Sequence, residues 1–111
     1  MAMAAELAGA LTERLTLEHW QAAQDDAGGD AGSWQRAGDV AAAIVPDGDG
    51  RTRDGDTRRQ RPRWRLTLRA PLLVTLTSRF LWQGRVLTVL AIDADPRRLD
   101  RLTVRVEARQ P

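Results

Sequence analysis

Three heptapeptides of this chain alternate apolar and polar side chains with a period of two: RLTLEHW at residues 14–20, RWRLTLR at 63–69 and RLTVRVE at 101–107. Successive side chains of an extended strand point to opposite faces. The pattern therefore puts Leu15 and Leu17, then Trp64, Leu66 and Leu68, then Leu102, Val104 and Val106 on inward faces. Arg14, Thr16, Glu18, Arg63, Arg65, Thr67, Arg69, Arg101, Arg105 and Glu107 face out. Each segment is a half-buried strand, and together they commit the chain to a sheet with one dry side.

The remaining strands follow from punctuation. Residues 34–45 end in the apolar VAAAIV, whose small alanines allow close packing; an alanine run is also compatible with helix. Between Leu72 and Ile92, the Gln83-Gly84 dipeptide separates two β-rich runs and signals a tight hairpin. Residues 86–92 are apolar on both faces, which predicts a central strand. Asp and Gly at 25–33, and DADPRR at 93–98, supply turns. Pro71 marks a strand end or an edge. Residues 4–12 have room for a helix of a turn or two, with Leu7 and Leu11 four apart and Gly9 weakening it. Six strands joined mostly by short turns predict an all-β fold, a small antiparallel six-stranded β-barrel with at most a short N-terminal helix. At 111 residues it makes one domain, 1–111, large enough for a core without disulfides or metal.

One connection is not short. Residues 46–61 read PDGDGRTRDGDTRRQR, with no apolar side chain to fold the segment back onto a core. Loops beyond about 12–15 residues without structure of their own are usually functional or disordered. A long projecting loop on a compact scaffold points to binding and assembly.

Charge is polarised along the chain. Residues 1–50 hold nine acids against two arginines, and residues 51–111 hold fifteen arginines against six acids, within a net charge of +2. Such asymmetry serves nucleic-acid contact or docking between copies, or cancels when the halves interleave in the fold. All basic residues are arginine, whose fork suits bidentate contacts to carboxylate and phosphate.

Little points to catalysis. There is no cysteine, which excludes thiolate sites and thiol nucleophiles. His19 is the one histidine and cannot build a typical zinc site; a pairing with Ser33 or Ser78 is conceivable, but no spacing supports it. Asp25/Asp26, Asp47/Asp49 and Asp54/Asp56 superficially resemble calcium ligands, yet DGDGRTRDGD lacks the glutamate that closes an EF-hand loop and arginines intervene. No phosphate-binding glycine loop is present. No enzyme activity and no cofactor are expected. No stretch approaches the roughly 18 apolar residues of a membrane span. MAMAAELAGAL lacks the basic start of a signal peptide, so an intracellular protein with no membrane contact is expected.

Taken in order, ERLTLEHW, the DDAGG turn, Trp34, VAAAIVP before a charged loop, WRLTLR, SRFLWQGRVLTVLAI and RRLDRLTVRVEA form a recognisable series. It resembles the phage head-tail joining family, the head-closure or stopper proteins of long-tailed phages and gene transfer agents, over residues 11–109. The spacing is carried chiefly by Arg69 and by the run R-F-x-W-x-G-R-x-x-x-V-x-x-I from Arg79. Ala42 stands where that family often has tryptophan, and Leu87 where it often has an aromatic residue.

The resemblance implies a virion protein located at the head-tail junction, and in the host cytoplasm during assembly. It would form a homo-oligomeric ring of about six or twelve copies. A portal-adaptor protein would lie above it, a tail terminator or tail protein below, and double-stranded DNA in the channel. The 46–61 loop would project toward the channel, making Arg51, Arg53, Arg58, Arg59 and Arg61 the DNA-facing candidates. Arg65, Arg69, Arg101 and Arg105 are the candidate subunit interface, meeting acids from the first half of a neighbour. The alternative is a monomeric small β-barrel that binds nucleic acid through the same arginines, with a steep salt dependence. The aromatic residues argue against that alternative, because Trp64 shares the leucine face and is not displayed for stacking.

Overall fold

The computed structural model describes residues 9–23, 31–47 and 61–109. Six strands follow in chain order: β1 Glu13–Ala23, β2 Ala31–Pro46, β3 Arg63–Arg69, β4 Ser78–Trp82, β5 Arg85–Asp93 and β6 Arg101–Arg109. All pairings are antiparallel, and the sheet closes on itself in the order β1-β2-β3-β6-β5-β4. Two of these neighbours are far apart in sequence. β3 pairs with β6, and β4 returns to β1, pairing His19 with Ser78 and Thr16 with Leu81.

The inward faces are those the alternation predicts. Leu15, Leu17, Leu66, Leu68, Val104 and Val106 are buried, joined by Phe80, Trp82, Leu87, Val89 and Ala108. Ala42 and Leu87, the two departures from the family pattern, are both fully buried. Trp64 is half-buried against the core and meets Trp82 edge-on, with ring centroids 5.3 Å apart. Arg85 lies over the same Trp82 ring at 5.7 Å. The Gln83-Gly84 turn takes positive φ at both positions, 51° and 77°, the geometry that matches strand twist in a two-residue hairpin.

Several boundaries differ from the sequence reading. β1 and β2 each run three residues further toward their shared hairpin than predicted, to Ala23 and from Ala31. Alanine, glycine and serine there carry no periodic pattern, and the ladder is held by backbone pairing instead. The predicted turn at 25–33 thus gives up Ala31–Ser33 to β2, and its remainder lies outside the described residues. Residues 86–92 are flanked on both sides, as expected, but they are buried on one face only. Thr88 and Leu90 are exposed, because a closed barrel has a single interior and the register slips around Leu90. Of the predicted N-terminal helix, only Gly9 and Ala10 are helical among the described residues.

Antiparallel order sorts the connections onto two ends. The β1–β2, β3–β4 and β5–β6 connections share one end. The β2–β3 connection, the β4–β5 turn and the end of β6 share the other.

Candidate functional site

The β3–β6 wall gathers the arginines. Its register sets Arg63 opposite Glu107, Arg65 opposite Arg105, Thr67 opposite Thr103 and Arg69 opposite Arg101. All four proposed interface arginines therefore lie on one outer face. Like charges directly opposite one another destabilise a ladder, so two such rungs call for anions.

Asp47 answers for one rung. It accepts from Arg65 Nη2 at 3.0 Å through one carboxylate oxygen, while the other lies 3.6 Å from Arg105 Nε. Its backbone N–H donates to the Arg63 carbonyl at 2.9 Å, pinning the start of the charged loop to the first residue of β3. Asp93 adds a second, looser contact to Arg105 at 3.9 Å. On the other rung Arg101 donates to Asp100 through Nε and Nη2 at 3.1 and 3.3 Å. That hydrogen bonding holds the Asp100 carboxyl below its usual range. Arg69 has no acidic partner among the described residues.

Acids of the first half thus meet arginines of the second within one chain, at Asp47 and again at Glu18. Arg79 Nε donates to Glu18 Oε1 at 2.7 Å across the β1–β4 pair, with both side chains largely covered. Arg79 also stacks on Trp34 at 4.1 Å, and Trp34 meets Trp20 edge-on at 5.3 Å. Asp39 is served within its own half: Arg36 and Thr16 donate to it and hold its carboxyl below the usual range.

Of the loop arginines, Arg51, Arg53, Arg58 and Arg59 lie outside the described residues. Arg61 is exposed beside Thr88, Glu107 and Arg109, around a shallow recess of about 330 Å³ at the loop's end of the barrel.

The opposite end carries a feature the sequence reading missed. Leu73, Leu76 and Leu99 are exposed at 71%, 65% and 81% on the β3–β4 and β5–β6 connections. Their loops are held firmly. Val74 is buried and Leu72 packs on the core. Ala70 N–H donates to the Asp100 carbonyl at 2.9 Å, tying the two loops together. The signal was present in PLLVTL, an apolar run too irregular for a strand, yet only the fold shows which of its leucines are spent inside.

His19 and Ser78 do come together, at 2.8 Å. Ser78 is only 2% exposed, and its Oγ also receives the Thr75 N–H at 2.9 Å. Buried and shared among these partners, the hydroxyl fastens the β3–β4 loop to β1, and no substrate could reach it as a nucleophile.

A family model of the phage head completion protein matches residues 7–109. The chain belongs to that family. Its members are structural proteins of the phage virion, and a virion or phage-like particle is where this head completion protein resides. Two solved structures share the fold. One is a chain of the virion of a native gene transfer agent particle, with a TM-score of 0.70, 22% identity, 87% of this chain covered and 93% of that one. The other is the solution structure of protein SF1141 from Shigella flexneri 2a, with a TM-score of 0.70, 20% identity and coverage of 90% and 94%. No curated protein matches the chain.

Proposed function

We propose that this head completion protein forms a homo-oligomeric ring between the portal-adaptor and the tail, closing the DNA-filled head and offering the tail a platform. The observation that carries this reading is that the barrel has two unlike ends. One presents fixed, exposed leucines, suited to a protein surface. The other carries the roots of an arginine- and aspartate-rich loop, suited to a channel that holds DNA. A part placed between two different neighbours needs that asymmetry.

In this reading Arg51, Arg53, Arg58, Arg59 and Arg61 face DNA, and the interleaved aspartates keep their hold loose enough for ejection. Replacing Arg51, Arg53, Arg58 and Arg59 by Ser is expected to reduce DNA retention in particles; unchanged retention would remove the loop from the channel. Arg69, on the interface face, is the member best placed to meet a neighbour's acid. Arg69→Glu is expected to prevent ring assembly without unfolding the barrel.

Electron microscopy of particles made without this gene tests the whole reading. Separate tails beside heads that have packaged and then leaked DNA are expected. Normal filled, tailed particles would overturn it. The monomeric nucleic-acid-binding alternative has less support, since Arg65 and Arg105 already share a carboxylate.

A further inference from the structure

The β1–β2 hairpin outgrows the barrel. β1 pairs with β4 only through Thr16–His19, and β2 pairs with β3 only from Ala42 onward. Beyond those points β1 and β2 continue to pair with each other, Trp20 with Trp34 through Ala23 with Ala31. The result is a two-stranded ribbon whose two outer edges have no ladder among the described residues. Nor does any other described segment hydrogen-bond to the ribbon's backbone there.

These edges are also unguarded. Native sheets protect an open edge with charge, proline or a bulge. Residues 20–23 read WQAA and residues 31–35 read AGSWQ, without a charge or a proline; further along the open β2 edge Arg36 and Asp39 pair with each other, and the register shift lies between Leu17 and Glu18. Gln21, Ala22, Ala23, Ser33 and Gln35 are exposed, and the small side chains let another backbone approach. An apolar recess of about 280 Å³, lined by Leu11, Val40, Ala41, Leu68, Arg69 and Leu72, opens where β2 parts from β3.

We infer that the β1 edge of one ribbon pairs with the β2 edge of the ribbon on the next copy. The argument is one of completion. A foreign strand would cover one edge and leave the other open. Rotation about an axis along the ribbons keeps every copy in the same sense, so each β1 meets a neighbouring β2 that runs antiparallel to it. Head-to-tail pairing of this kind consumes both edges of every copy once the ring closes. It would be β-strand addition with the donor and acceptor on the same hairpin.

This inference rests on the ring proposed above but is tested separately. The chain has no cysteine, so single-cysteine variants report cleanly. Ala22→Cys and Ser33→Cys are made on different copies, mixed, and oxidised, both as concentrated protein and within particles made by co-expression. A cross-linked dimer from the mixture, and little from either variant alone, is expected. Cross-links within Ala22→Cys alone or Ser33→Cys alone would mean two-fold edge pairing and overturn the head-to-tail arrangement. No cross-link in particles that still retain DNA and tails would overturn edge pairing while leaving head closure intact. As a second arm, Ala23→Lys, built into the Ala22→Cys chain so that the reporter thiol is kept, guards the edge. It is expected to abolish the cross-link to Ser33→Cys copies while leaving the thermal melt unchanged; a retained cross-link would count against pairing at this edge.

Discussion

The β3–β6 wall and the β1–β2 ribbon share one strand geometry and differ in how they treat charge and edges. The wall is paired on both sides and crowded with arginines, whose demand for anions Asp47, Asp93 and Asp100 largely meet inside the same chain. Residues 20–23 and 31–35 of the ribbon carry no charge and, among the described residues, are paired on one side only. Charge is what composition makes visible, so the wall attracts attention first. The comparison teaches that visible charge can be satisfied at home, while a bland segment retains unsatisfied backbone.

Substitutions can break or sharpen that contrast. The largest effect belongs to the interior behind the wall. Phe80 is fully buried, and Phe80→Ala is expected to cost about 3–5 kcal/mol in urea unfolding, against almost nothing for Ala22→Ser on the ribbon. Comparable losses at the two sites would show the ribbon to be part of the core.

Next is Asp47→Asn, which leaves Arg65 and Arg105 facing each other. Hydrogen bonds to charged groups contribute about 1.5–3 kcal/mol, but the arginines here are half-exposed, so a loss of roughly 1 kcal/mol is expected. Because the residual cost is repulsion, it should shrink in molar salt. A loss independent of salt would mean that Asp47 acts only through its loop geometry.

Gly32→Val probes the ribbon itself. A Cβ at Gly32 would clash with the Trp20 ring, so the indole must move away from Trp34. Losing that aromatic pair is worth roughly 0.5–1.5 kcal/mol, read as a shift in tryptophan emission with a small fall in stability. An unchanged emission spectrum would show that the Trp20–Trp34 contact is not kept in solution.

The smallest effect concerns acid. Asp39 and Asp100 have folded-state carboxyls lowered by hydrogen bonds from Arg36 and Arg101. A lowered carboxyl contributes stability above its unfolded value of about 3.9, and that contribution is lost as pH falls below it. Asp39→Asn should therefore lower stability slightly at neutral pH, flatten the acid limb of the profile, and change little at pH 3. A larger change at pH 3 than at pH 7 would reverse the assignment.

Some elements were legible because their signal is local. Period-two alternation identified the inner faces of β3 and β6, and Gln83-Gly84 located its hairpin from turn chemistry alone. The candidate site was legible only as a set. Arg65, Arg69, Arg101 and Arg105 do share a face, but nothing in the chain's order says that Arg65 stands opposite Arg105. Leu73 and Leu76 could not be told from Leu72 and Val74, since all four sit in one apolar run and only the packed barrel divides them.

By itself, then, the sequence determined which residues turn inward, where the tight turn falls and that a charged loop interrupts the strands. These are consequences of backbone periodicity and of residues that tolerate positive φ. Closure of the barrel was decided only in three dimensions, by pairing β3 with β6 and β4 with β1. Tertiary structure also assigned Asp47 to two arginines and, among the described residues, left the ribbon's edges open. Those outcomes depend on register between segments distant in the chain, and a ladder hydrogen bond carries no side-chain signature that a sequence could display.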